Sequence, residues 1–146
     1  MEGLLILFAF VAGALLVVQA GVNGQLGLRL GQPMLATLAS FAIGTVALIL
    51  YVLAARTPWP EVRTLTRYPW WVWTGGLLGC IYVLATVVLA PRLGAAMFIS
   101  LVVAGQMVAS LLLDHFGLIG FPERPITAAR LLGAILLAVG VVLIRR

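Results

Sequence analysis

Charge is what this 146-residue chain lacks most: only 9% of its residues are Asp, Glu, Lys or Arg, against about 25% in a soluble domain. With 64% hydrophobic residues, water is excluded as the solvent for most of its surface. Lysine is missing altogether, and the arginines stand singly or in pairs along the chain. A nucleic-acid partner would require a clustered basic face with interleaved aromatics, so the net charge of +5 points to lipid headgroups instead. Cys80 is the lone cysteine and lies in an apolar run, which excludes an intrachain disulfide and leaves a metal site unsupported. His115 is the lone histidine. Without a His partner for a nucleophile, paired carboxylates or metal-ligand spacing, nothing supports an enzyme or a bound cofactor. No Asp or Glu interrupts the middle of an apolar run. That excludes a central carboxylate holding proton and cationic substrate in alternation.

What the chain has is long uncharged runs. Gly3 to Leu28, Leu30 to Ala55, Tyr68 to Pro91 and Leu93 to Leu113 are each long enough to cross a bilayer core of about 30 Å, which needs roughly 20 residues of helix. A fifth, Leu131 to Ile144, reaches a spanning length if its helix starts at Thr127, a good N-cap after Pro125, with Arg130 snorkelling from the first turn. The expected fold is all-α: a polytopic transmembrane bundle in one domain, residues 1–146, with spans near 3–25, 33–55, 69–90, 93–115 and 127–145. The runs are continuously apolar and not alternating, which argues against a barrel. Because Glu2 replaces a basic leader region, the first segment is expected to stay as a helix.

Arg29-Leu30-Gly31-Gln32-Pro33-Met34 and Arg92-Leu93-Gly94-Ala95-Ala96-Met97 agree at four of six positions. Each provides Gly for a left-handed helix end and Arg for the negative end of the dipole. Convergent turn chemistry is favoured over an old hairpin duplication. Between Arg56 and Tyr68 lies the main polar connection, with Pro58, Trp59 and Pro60. Trp59, Tyr68, Trp70, Trp71 and Trp73 gather around it as an interfacial belt.

Five spans put the termini on opposite sides. Arg56, Arg63, Arg67, Arg124 and Arg130 then share the N-terminal side, and Arg29, Arg92, Arg145 and Arg146 the other, five against four. So small a bias gives the insertion machinery little reason to choose an orientation. Insertion both ways would yield an antiparallel homodimer, related by a two-fold axis in the membrane plane as in inverted-repeat transporters. Gly75 with Gly79 and Ala134 with Ala138 offer close-packing faces.

Polar groups at membrane depth are the candidate ligands. Gln19 and Asn23 share a face of the first helix, either as a tie to a neighbouring helix or as a cavity lining. Thr37, Ser40 and Thr45 are expected to bond back to their own helix. Tyr82 sits on a smooth face with Gly75, Gly79 and Thr86, and Gln106 lies deep in the fourth run. A small neutral or amphipathic solute would meet Gln19, Asn23, Tyr82 and Gln106, with Trp73 as an aromatic wall. Asp114, at a helix C-terminus where the dipole disfavours it, needs a partner such as Arg130 or Arg124. Alternatively, Asp114 and His115 form a proton-sensing pair. The rival to transport is an assembly or stabilising subunit in which the same polar groups only tie helices.

In order along the chain stand Gln19-Ala20-Gly21-Val22-Asn23, Ser40-Phe41-Ala42-Ile43-Gly44-Thr45, Pro69-Trp70-Trp71 before Gly75-Gly76, Pro91-Arg92-Leu93-Gly94-Ala95, Val103-Ala104-Gly105-Gln106 and Leu113-Asp114-His115-Phe116-Gly117. Together they resemble the YdcZ-like five-helix family of the drug/metabolite transporter superfamily over nearly the whole chain. The resemblance implies a bacterial inner-membrane transporter, an exporter, whose five helices form half of a ten-helix arrangement. Where the superfamily's small multidrug members carry a Glu in their first helix, this sequence has Gln19 and Asn23.

Overall fold

The computed structural model describes residues 1–145, and among these the regular structure is all helix, with no strand. Helix α1 spans Glu2–Leu30, α2 Pro33–Ala54, α3 Val62–Leu65, α4 Gly75–Leu93, α5 Ala95–His115 and α6 Ala128–Ile144; short 3-10 turns cover Trp70–Thr74 and Leu118–Gly120. Four apolar stretches are long enough to cross a membrane: α1, α2, the continuous Trp70–Leu93 segment and α5. Helix α6 is equally apolar, but its 17 residues rise only about 26 Å, a little short of the hydrocarbon core.

Two ends depart from the sequence-based expectation. Helix α1 was expected to stop near residue 25 and continues to Leu30, because nothing after Gln25 breaks it before Gly31, whose φ of 67° provides a left-handed cap. Helix α4 was expected to stop before Pro91 and instead carries that proline inside, ending at Leu93. Pro91 forfeits a backbone donor there. Its ring lies where a β-carbon on Gly24 would approach Cγ to 3.2 Å, so a glycine in α1 makes the room. The two similar Arg-Leu-Gly segments also diverge: Gly31 closes α1, whereas Gly94, with φ 80° and ψ 152°, opens α5.

The chain forms two compact units, Met1–Arg92 and Leu93–Arg146. In the first, α1 brings forward a stripe of buried Ala20, Asn23, Gly24 and Gly27, spaced i, i+3, i+4 and i+7 and therefore on one face. Buried Ala36 and Thr37 of α2, and Val83, Thr86 and Val87 of α4, complete this core. Lipid tails are as apolar as leucine, so close van der Waals packing holds such helices together, and small residues permit it. Gly27 shows how close: a β-carbon there would lie 2.4 Å from Val87 Cγ1.

In the second unit α5 and α6 pair as a hairpin. Thr127 caps α6 as expected, its hydroxyl accepting from the Arg130 N–H at 3.3 Å. The segment between the helices is tightly turned, with positive φ at Gly117, Ile119 and Gly120. For β-branched Ile119, at φ 56°, that conformation is strained.

Candidate functional site: a polar-lined cleft in the first unit

Helices hide their backbone donors and acceptors, so the chemistry of a transmembrane cleft is set by the few polar side chains that reach it. In the first unit a cleft of about 230 Å³ is lined by Gln19 of α1, Ser40, Phe41, Gly44, Thr45 and Leu48 of α2, and Val83 of α4. Ser40, Gly44 and Leu48 recur at four-residue spacing, and Phe41 and Thr45 repeat it one position on, so one side of α2 builds most of the wall. Gly44 exposes backbone where a larger residue would fill the space. None of the lining side chains is charged.

Asn23, one turn beyond Gln19, is buried, and its Nδ2 donates to Ser40 Oγ at 3.2 Å. Gln19 and Asn23 thus differ in their surroundings: Asn23 ties α1 to α2, while Gln19 lines the cleft. Ser40 and Thr45 depart from the expectation that they bond back to their own helix: among the described residues neither does. Thr37 does bond back, donating to the Pro33 carbonyl at 3.1 Å, and so do Thr86 to Val83 at 2.7 Å and Ser100 to Ala96 at 2.7 Å.

Phe41 forms a shared wall. On its other side a wholly apolar groove of about 390 Å³ runs along Met34, Thr37, Leu38, Leu77, Cys80, Ile81 and Leu84. The ring fits because Gly79 has no side chain: a β-carbon there would stand 3.3 Å from Phe41 Cζ. Tyr82 is half-buried on α4 next to Val83 but does not line the polar cleft, and Trp73, on the 3-10 turn before α4, is exposed.

Gln106, Asp114, His115 and Arg130 belong to the second unit. Gln106 is exposed on α5; the cleft between α5 and α6, about 290 Å³, is lined instead by Ile99, Ser100, Val103, Leu137, Gly140, Val141 and Ile144. At the end of the hairpin Asp114 Oδ2 accepts from the Arg130 guanidinium, which also donates to the Arg124 carbonyl at 2.9 Å. The Arg124 N–H donates to the Asp114 carbonyl at 2.7 Å, and the Ile126 N–H to His115 Nδ1 at 3.3 Å. Arg130 therefore compensates the carboxylate that the α5 dipole disfavours. Among the described residues no group of His, Cys, Asp or Glu could hold a metal ion.

Ser40, Phe41, Thr45, Leu48 and Val83 were not singled out as ligands from the sequence. The four-residue spacing of Ser40, Gly44 and Leu48 was the available signal, masked by the tendency of helical hydroxyls to serve their own backbone.

Residues 4–143 match the family described as "Putative inner membrane exporter, YdcZ". The chain is also 32% identical to "Inner membrane protein YdcZ" of Escherichia coli (strain K12), over 99% of this chain and 97% of that one. No solved structure matches.

Proposed function

The chain belongs to the YdcZ family of inner-membrane proteins, and on that premise we propose that it exports a small neutral or amphipathic solute across the bacterial inner membrane. The observation that carries this reading is the cleft of the first unit, where Gln19, Ser40 and Thr45 share a cavity with Phe41 and Leu48 and no charge. Such a lining suits a solute with an apolar body and few hydrogen-bonding groups. In this reading Gln19 meets the solute and Asn23 stands behind the lining, bonded to Ser40; Tyr82, Trp73 and Gln106, candidates by sequence, lie outside this cleft. Two copies work antiparallel, as half-transporters; the near-even division of the arginines supports this. Since the spans lack a central carboxylate and Asp114 is engaged with Arg130, transport runs as a facilitated pathway, or couples to protons through Asp114 and His115.

One observation favours the rival reading of an assembly or stabilising subunit: the Asn23–Ser40 bond is helix glue. The two separate in liposomes. Purified protein screened against pools of neutral metabolites and drugs should move a subset of them, and Gln19→Leu should cut that flux at least tenfold while the helical content is unchanged. Absence of flux for every pool, with a folded protein, leaves the subunit reading standing. Reporters fused to the C-terminus should be active on both sides of the membrane; a single orientation would remove the antiparallel pair.

A further inference from the structure

We infer that Ser40 is an oriented hydrogen-bond donor of the cleft, that Asn23 positions it, and that the solute therefore carries a neutral acceptor, such as a carbonyl or ether oxygen, on an apolar body. This rests on the transport reading above and refines the chemistry of its cleft. A hydroxyl has one proton and two lone pairs. At Thr37, Thr86 and Ser100 the proton goes to a carbonyl one turn back, leaving nothing to offer a ligand. Ser40 differs. Its oxygen accepts the Asn23 Nδ2–H, and no acceptor for its own proton occurs among the described residues. It lines the cleft, as does Thr45, whose hydroxyl also lacks a partner among the described residues but is not oriented by a second side chain.

Asn23 is held in place by burial, only 5% exposed, in the tight small-residue face of α1. Its amide N–H occupies a lone pair of Ser40 and so narrows the directions left for the hydroxyl proton. The Ala36 carbonyl, one turn back along α2, is the partner Ser40 would otherwise take, as Thr37 takes that of Pro33. Asn23 is thus a positioning residue and Ser40 the one that meets the solute. Gln19 offers a donor and an acceptor from the facing helix, and Phe41, Leu48 and Val83 take up the apolar body. With no charge in the lining to pair or repel an ion, desolvating an ionised solute would go uncompensated, which selects neutral forms.

The test uses the full chain in nanodiscs and a pair of probes of nearly the same shape: acetophenone, with a carbonyl acceptor, and α-methylstyrene, in which a methylene replaces that oxygen. The readout is the ratio of their affinities, each corrected against empty nanodiscs, so that lipid partition cancels between variants. Ser40→Ala should shift the ratio against acetophenone about tenfold, the worth of one hydrogen bond in a dry site. Asn23→Ala should shift it in the same direction although Asn23 is not in the cleft lining. Thr37→Val, which removes a hydroxyl already engaged with its own helix, should leave it unchanged. If both probes bind and the ratio is the same in wild type, Ser40→Ala and Asn23→Ala, the donor assignment falls while the cleft stands. An equal shift in Thr37→Val overturns it too. If neither probe binds folded wild-type protein, the cleft reading itself falls and the assignment with it. Should Ser40→Ala fail to fold, Asn23→Ala decides alone.

Discussion

The two units solve the same problem, holding apolar helices together in an apolar solvent, by different means. Met1–Arg92 relies on shape: Ala20, Gly24 and Gly27 let α4 approach α1 closely, and a single buried amide, Asn23, sets where α2 meets them. Leu93–Arg146 relies on one end: Asp114, His115, Arg124 and Arg130 fasten the α5–α6 connection, while the cleft between the helices is almost wholly apolar. Shape specificity leaves polar groups free to line a cavity at depth. End fastening puts the polar groups where headgroups and water already meet them, and it leaves the hairpin's interior without directional contacts.

Gly27→Leu breaks the first arrangement most directly. With Val87 already filling the position of a β-carbon, overpacking should cost about 1–3 kcal/mol, read as a lower unfolding midpoint of the first unit in mixed micelles. The α5–α6 hairpin should keep its own hydrogen-exchange protection. Asn23→Ala comes next: losing its bond to Ser40 should cost about 1 kcal/mol, with raised exchange in α1 and α2. A cost near zero would mean that packing alone orders the three helices.

The matching change in the second unit is smaller. Asp114→Asn removes the ion pair with Arg130, whose partners' side chains are 20% and 32% exposed, so screening should hold the loss to less than about 1 kcal/mol. The effect should be local, seen as faster proteolysis between Phe116 and Thr127, with the first unit unaffected. Smallest is Ile119→Gly, which relieves a positive φ and should stabilise by roughly 0.5 kcal/mol, after the extra backbone entropy of glycine offsets part of the gain. A destabilisation there would show that the Ile119 side chain makes contacts worth more than the strain.

The same contrast explains what could be read from the sequence. The second unit was legible because its determinants are local: Thr127 caps three residues before Arg130, and a dipole-opposed Asp114 requires a cation from the only nearby candidates. The first unit was legible as helices but not as a site. Whether Ser40 serves its own helix or accepts from Asn23 depends on the rotation of α2 against α1, which no spacing within α2 reveals. The third span was placed at 69–90, yet α4 runs on through Pro91 to Leu93; the space that admits the proline lies at Gly24, far away in the chain. Gln106, legible as polar, was expected to join Gln19 and Asn23, a pairing that needs arrangement beyond either unit.

The brevity of α6 has a consequence for where the protein can reside. Its 17 residues, Arg130 among them, match only a thin hydrocarbon layer, while the 29 residues of α1 rise about 44 Å, more than the core requires. No single acyl-chain length suits both. A bilayer thin enough for α6 forces α1 to tilt, and one thick enough for an upright α1 must pucker inward around α6, at a fraction of a kcal/mol for each ångström of mismatch. Lipid chain length is therefore a variable that acts on α1 and α6 in opposite directions.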